Sequence, residues 1–99
     1  MTTREAIKKA LEDELKGYDV KEAYLFGSYA RGDQAPGSDI DLRFLCGSDI
    51  SFGQLYDIQL ALEDRLGVAL DIVTAPPSQM RQRFYDNIKR DEVLLYVAS

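Results

Sequence analysis

Asp39 and Asp41 alternate in the segment Ser38-Asp39-Ile40-Asp41-Leu42, and a third carboxylate, Asp71, interrupts the apolar run Val68-Ala69-Leu70-Asp71-Ile72-Val73. In an extended strand this spacing puts Asp39 and Asp41 on one face, about 6.7 Å apart along the backbone, with Ile40, Leu42 and Phe44 on the other. A carboxylate disfavours β structure and is costly to bury unpaired, so three of them in apolar strands point to a shared purpose. If Asp39, Asp41 and Asp71 converge, each pair at about 4 Å repels by about 4 kcal/mol at an effective dielectric near 20, and the cluster needs a cation or a proton. A divalent ion satisfies all three. Oxygen donors without His or Cys favour Mg²⁺ or Mn²⁺, and two such ions can clamp the attacking and leaving oxygens of a phosphoryl displacement. The competing reading is an ion pair in which Arg43, on the same strand face, neutralises Asp39 and Asp41.

A second chemical feature lies upstream. Ala23-Tyr24-Leu25-Phe26 reads as a strand, and Gly27-Ser28 ends it abruptly before Tyr29-Ala30-Arg31. Backbone N–H groups at such a strand-to-helix turn can face an anion. Gly27 permits close approach of a phosphate, and the Ser28 hydroxyl can donate a hydrogen bond to one. The bland alternative is a turn whose serine caps a helix. Arg31 is placed to neutralise a triphosphate or to pair with Asp33 or a helix carboxylate. A glycine turn joined to a carboxylate pair can hold a nucleoside triphosphate and its metal ion.

The elements that must position these groups are legible in the periodicity. Ile7, Leu11 and Leu15 predict an amphipathic helix over residues 3 to 16, opened by a capping box of Thr2 and Glu5 and stopped by Gly17. Strands are expected at about 21 to 26, 39 to 46 and 68 to 74, the last closed by Pro76-Pro77. Phe52, Leu55, Ile58, Leu62 and Leu66 predict a helix over 51 to 66, ended by Gly67. A last helix is expected at about 78 to 89, followed by Val93 to Val97 as a fourth strand or a docked tail. The order implies an α+β fold: a small mixed sheet of three to four strands with helices packed on it.

Ninety-nine residues, 45% of them hydrophobic, make one folded domain, residues 1–99, with little room for a complete two-substrate site, so a partner is expected to supply the rest. Histidine is absent and Cys46 is the only cysteine, which excludes Ser-His-Asp triads, Cys-His pairs, a cysteine zinc site and an internal disulfide. Seventeen acidic against 12 basic residues give a net charge of −5, which opposes general binding to duplex nucleic acid. The chain has no apolar run of membrane-spanning length and no signal-like N-terminus, so no membrane association and a cytoplasmic location are expected. The late basic residues Arg81, Arg83, Lys89 and Arg90 read as a solvated helix face.

Taken together, Gly27-Ser28-Tyr29-Ala30-Arg31-Gly32, Ser38-Asp39-Ile40-Asp41-Leu42 and the later strand carboxylate Asp71 resemble the minimal nucleotidyltransferases, or MNT domains, of the DNA polymerase beta superfamily. The resemblance extends over nearly the whole chain. It implies that Asp39 and Asp41 bind metal, that Asp71 completes the site and assists activation of the attacking hydroxyl, and that Gly27 and Ser28 hold the nucleotide phosphates. It also implies a partner, because small free-standing MNT proteins typically act as antitoxins of a HEPN ribonuclease toxin, in some cases by moving AMP from ATP to a toxin tyrosine. The rival expectation is an antitoxin that neutralises by binding and masking; a weaker one is a subunit that labels a small molecule. Homo-oligomers, or hetero-oligomers with the toxin, are open to either. Arg43 stands where the resemblance leads one to expect an apolar residue.

Overall fold

The computed structural model describes residues 3–74 and 92–98. Helix α1 spans Arg4–Glu14, strand β1 Val20–Phe26, the short helix α2 Ser28–Arg31 and strand β2 Ile40–Cys46. Helix α3 spans Phe52–Leu66, β3 Leu70–Val73 and β4 Val93–Val97. The expected last helix, with its basic residues, lies outside the described residues.

Local signals set the element ends. The cap of α1 is Thr3, whose side chain accepts a hydrogen bond from Ala6 N at 3.1 Å, one residue later than the predicted Thr2. Ala6, the third residue of the helix, has no polar side chain to reciprocate, so the cap at Thr3 is not a capping box; the expected partner of Glu5, Thr2, lies outside the described residues. A capping box does open α3: Gln54 N donates to Ser51 Oγ and Ser51 N donates to Gln54 Oε1, both at 3.1 Å. Gly67, in the left-handed region at φ +70, closes the helix where the pattern placed its end. β3 is shorter than expected, because Val68 and Ala69 belong to the turn that brings the chain back from α3.

The four strands form one mixed sheet in the order β3-β2-β1-β4, which is the expected fold class. β1 runs antiparallel to both β2 and β4, whereas β2 and β3 are parallel and need a long crossover, which α3 supplies. Val93–Val97 is therefore a strand rather than a docked tail. The tail is held because its main chain completes the ladder of β1.

One face of the sheet is covered and the other carries chemistry. Ile40, Leu42 and Phe44 alternate inward and are fully buried with Leu25 of β1, Ile7 and Leu11 of α1, and Ile58 and Leu62 of α3. On the opposite face, paired positions must point the same way, so Phe26, Asp41 and Asp71 form one row and Tyr24, Arg43 and Val73 the next. Among the described residues no helix is long and apolar enough to cross a membrane.

Candidate active site

At the end of β1 the chain turns sharply through Gly27, at φ +74 and ψ −154, a conformation that L side chains rarely adopt. Gly27 is the cap residue of α2 and makes no side-chain cap bond, so Ser28 lies inside the helix and the serine-cap alternative is not the arrangement found. The hydrogen bonds of the turn begin at Ala30 and Arg31, whose N–H groups both donate to Gly27 O at 3.1 Å. The amides of Ser28 and Tyr29 precede that first bond at the opening of the helix. A Cβ on Gly27 would lie 3.2 Å from Asp41 Cγ and closer still to Asp41 Oδ2. The glycine turn is thus packed directly against the second carboxylate of the downstream motif.

The carboxylates reach the same place by strand register. Asp41 lies opposite Asp71 across the parallel β2–β3 pair and opposite Phe26 across β1. Asp39 immediately precedes β2 and is exposed, as is Asp71, while Asp41 is half-buried between β1 and β3. Burial raises the Asp41 carboxyl above the ordinary carboxylate range, and the neighbouring charges of Asp71 and then Asp39 raise it further, opposed by Arg31. All three aspartates and Arg31 therefore share one electrostatic neighbourhood. Among the described residues no three acidic or cysteine side chains already close on a common point as a metal centre. The donors are oxygens only, on adjacent strand ends, with Asp39 and Asp71 exposed among the described residues. Such a set fits a hard dication that keeps water or phosphate oxygens among its ligands.

Arg43 behaves differently from the ion pair considered for it. Its guanidinium grips Glu92, just before β4, through Nε to Oε2 at 3.1 Å and Nη2 to Oε2 at 3.0 Å, and lies 4.4 Å from the centre of the Tyr24 ring. The Arg43 side chain turns toward β1 and β4, whereas Asp41 faces Gly27 and β3. The pairing that would have removed the metal reading is spent on another carboxylate. Arg31 bonds Asp33 through Nε to Oδ2 at 3.1 Å, as one of its two expected roles required, and still lowers the Asp41 carboxyl at longer range.

Two supporting residues were not singled out in the sequence. Arg4 reaches from α1 to donate from Nη2 to Ala30 O at 2.7 Å, tying the first helix to the glycine turn over 26 residues. Ser38 closes the loop ahead of Asp39 reciprocally, its N–H donating to Ala35 O and its Oγ accepting from Ala35 N, each at 3.0 Å. A serine three residues after a loop alanine carries a recognisable turn signal; the reach of Arg4 has none.

Comparison with known proteins follows the same outline. Residues 5–99 match the family described as Polymerase beta, Nucleotidyltransferase. A relative from Methanocaldococcus jannaschii that carries a protein adenylyltransferase name is 39% identical over 67 residues, covering 68% of this chain and 65% of its own length. The chain thus spans about two thirds of that relative. The fold is also that of a toxin–antitoxin crystal structure with AMP-PNP, at a TM-score of 0.72 and 22% identity over 99% of this chain and 76% of that one. It is shared as well by a structure of a tri-AMPylated Shewanella oneidensis HEPN toxin in complex with an MNT antitoxin, at a TM-score of 0.63 and 20% identity over 96% and 70% of the two chains.

Proposed function

Because the chain belongs to the polymerase beta nucleotidyltransferase family, we propose that it is a Mg²⁺-dependent antitoxin that transfers AMP from ATP to a tyrosine hydroxyl of a partner HEPN ribonuclease toxin, releasing diphosphate. The observation that carries this reading is the register of Asp41 opposite Asp71 beside the Gly27 turn. Residues 1–99 act as one minimal nucleotidyltransferase domain in the cytoplasm. Gly27 and Ser28 present backbone and hydroxyl donors to the triphosphate, and Arg31 offsets its charge. Asp39, Asp41 and Asp71 are the residues that would hold Mg²⁺ or Mn²⁺. When bound there, the ion supplies charge neutralisation at the α-phosphate. Asp71, exposed at the sheet edge, takes the proton from the acceptor hydroxyl as its oxygen attacks the α-phosphorus and the bond to diphosphate breaks. The AMP-PNP complex and the AMPylated toxin among the structural neighbours support the substrate and the partner.

Transfer of label from α-labelled ATP to the co-purified partner tests the reading. The Asp39→Asn/Asp41→Asn variant is expected to lose a hundredfold or more of the rate, roughly the scale of removing one preorganised charge stabiliser. Full labelling by that variant, with circular dichroism unchanged, overturns the assignment.

A second reading, masking without catalysis, is favoured by a separate observation. Phe52, Tyr56 and Leu60 lie four residues apart on α3 and are 89%, 62% and 46% exposed, an apolar line of the sort that protein partners cover. If masking suffices, the double Asn variant still neutralises the toxin in cells.

A further inference from the structure

β3 has reasons not to hold its place. It is four residues long, stands at the end of the sheet order, pairs in parallel, and carries Asp71 beside the like charge of Asp41. A slip of one residue would exchange its two faces, sending Asp71 toward the core and Leu70, which is only 5% exposed, out of it. Ile40 N donates to Ala69 O at 2.9 Å, so Ala69 and Asp71 turn their main-chain groups toward β2 and Leu70 turns its own away. Both outward groups of Leu70 are taken by α3. Leu70 N donates to Glu63 Oε2 at 2.8 Å, and Gln59 Nε2 donates to Leu70 O at 3.2 Å. The two side chains are one helical turn apart and touch each other, Gln59 Nε2 to Glu63 Oε2 at 3.4 Å. Glu63 also accepts the cap bond from Gly67 N through its carbonyl at 2.8 Å, so one residue closes both the helix and the strand that follows.

We propose that Gln59 and Glu63 are positioning residues: by gripping the main chain of Leu70 they hold Asp71 opposite Asp41 against the repulsion between the two carboxylates. The proposal rests on the role given to Asp71 above. The clamp touches neither nucleotide nor acceptor, and acts only through where it puts the next residue. It also occupies the outward hydrogen-bonding groups at the start of an edge strand.

The test compares wild type, Glu63→Ala and Glu63→Gln, the last retaining an acceptor oxygen for Leu70 N. Glu63→Ala is expected to speed amide exchange at Leu70 at least tenfold. It should lower kcat for AMP transfer by about 10- to 100-fold, the range for supporting residues of active sites, with KM for ATP within about twofold because Gly27 and Ser28, proposed to hold the phosphates, belong to the turn after β1, which the clamp on Leu70 does not touch. Glu63→Gln should restore both. The proposal is overturned if Leu70 exchange accelerates while kcat stays within twofold of wild type, or if Glu63→Gln fails to rescue, since the charge of Glu63 would then matter rather than its grip. Should Glu63→Ala not fold, Gln59→Ala, which frees only the Leu70 carbonyl, must show the same division between kcat and KM. If wild-type protein transfers no label, the proposed function fails separately from the clamp. Cross-strand nuclear Overhauser contacts between Asp41 and Asp71 then decide: they are lost in Glu63→Ala and kept in Glu63→Gln if the clamp sets the register, and unchanged in both if it does not.

Discussion

Asp41 and Arg43 stand two residues apart on the same face of β2, and they meet opposite fates. Arg43 is 7% exposed and held by Glu92 on one side and the Tyr24 ring on the other, so its charge is matched within the fold. Asp41 is half-buried among Asp39 and Asp71, with Arg31 as the opposing charge, and its proton affinity rises accordingly. Among the described residues, one charge is matched and the other stands among more like charges than opposite ones. Buried charges are ordinarily paired, and this half-buried carboxylate packed on a glycine turn is the feature on which the proposed ligand site rests. Arg43 marks instead how the strand before it is joined to the strand that closes the chain.

Removing one member of each arrangement should therefore have opposite consequences for stability. Arg43→Ala leaves the Glu92 carboxylate, whose side chain is 8% exposed, without that partner; a loss of about 3–5 kcal/mol is expected in urea unfolding. Replacing both, Arg43→Met with Glu92→Leu, should recover most of it. A single variant of wild-type stability would show that the pair is not what anchors β4. Gly27→Ala comes next, expected to destabilise by about 1–2 kcal/mol, because alanine disfavours the positive φ and its methyl meets the Asp41 carboxylate. An unaffected urea midpoint would mean that the turn and Asp41 are less closely packed than described.

The smallest effect belongs to Asp41 itself. Its carboxyl binds a proton more readily in the folded chain than in the unfolded one. Its contribution relative to Asp41→Asn is therefore greatest below the ordinary value near 3.8 and is lost as the pH rises through the raised folded value. Near neutrality Asp41→Asn should match or slightly exceed wild type in denaturant midpoint, the reverse of Arg43→Ala. Millimolar Mg²⁺ should raise the wild-type midpoint and leave the variant where it was. A wild type that gains stability as the pH rises from 4 to 7, relative to the variant, contradicts the crowding of carboxylates.

The helices and strands were largely legible because their signals are local. Leu11, Ile58 and Leu62 recur at helical spacing, Gly67 ends a helix, and Ile40, Leu42 and Phe44 alternate inward. The errors fell at ends: the cap at Thr3 instead of Thr2, and the shortened β3, where Val68 and Ala69 are as apolar as a strand but are used in a turn. Of the candidate site, the types and spacing of Gly27, Asp39, Asp41 and Asp71 could be recognised, since an aspartate inside an apolar strand is conspicuous wherever it lies.

Partners could not be recognised in the same way. Nothing in the neighbourhood of Arg43 distinguishes a pair with Asp41, two residues away, from one with Glu92, 49 residues away. Residue type and periodicity act over a turn of helix or a few strand positions, so the sequence carries the chemistry available and the faces on which it lies. Which charge meets which depends on strand order and register, set by the whole core at once. The parallel placement of β3 beside β2, and the grip of α3 on Leu70, brought Asp71 to Asp41; β4 beside β1 brought Glu92 to Arg43.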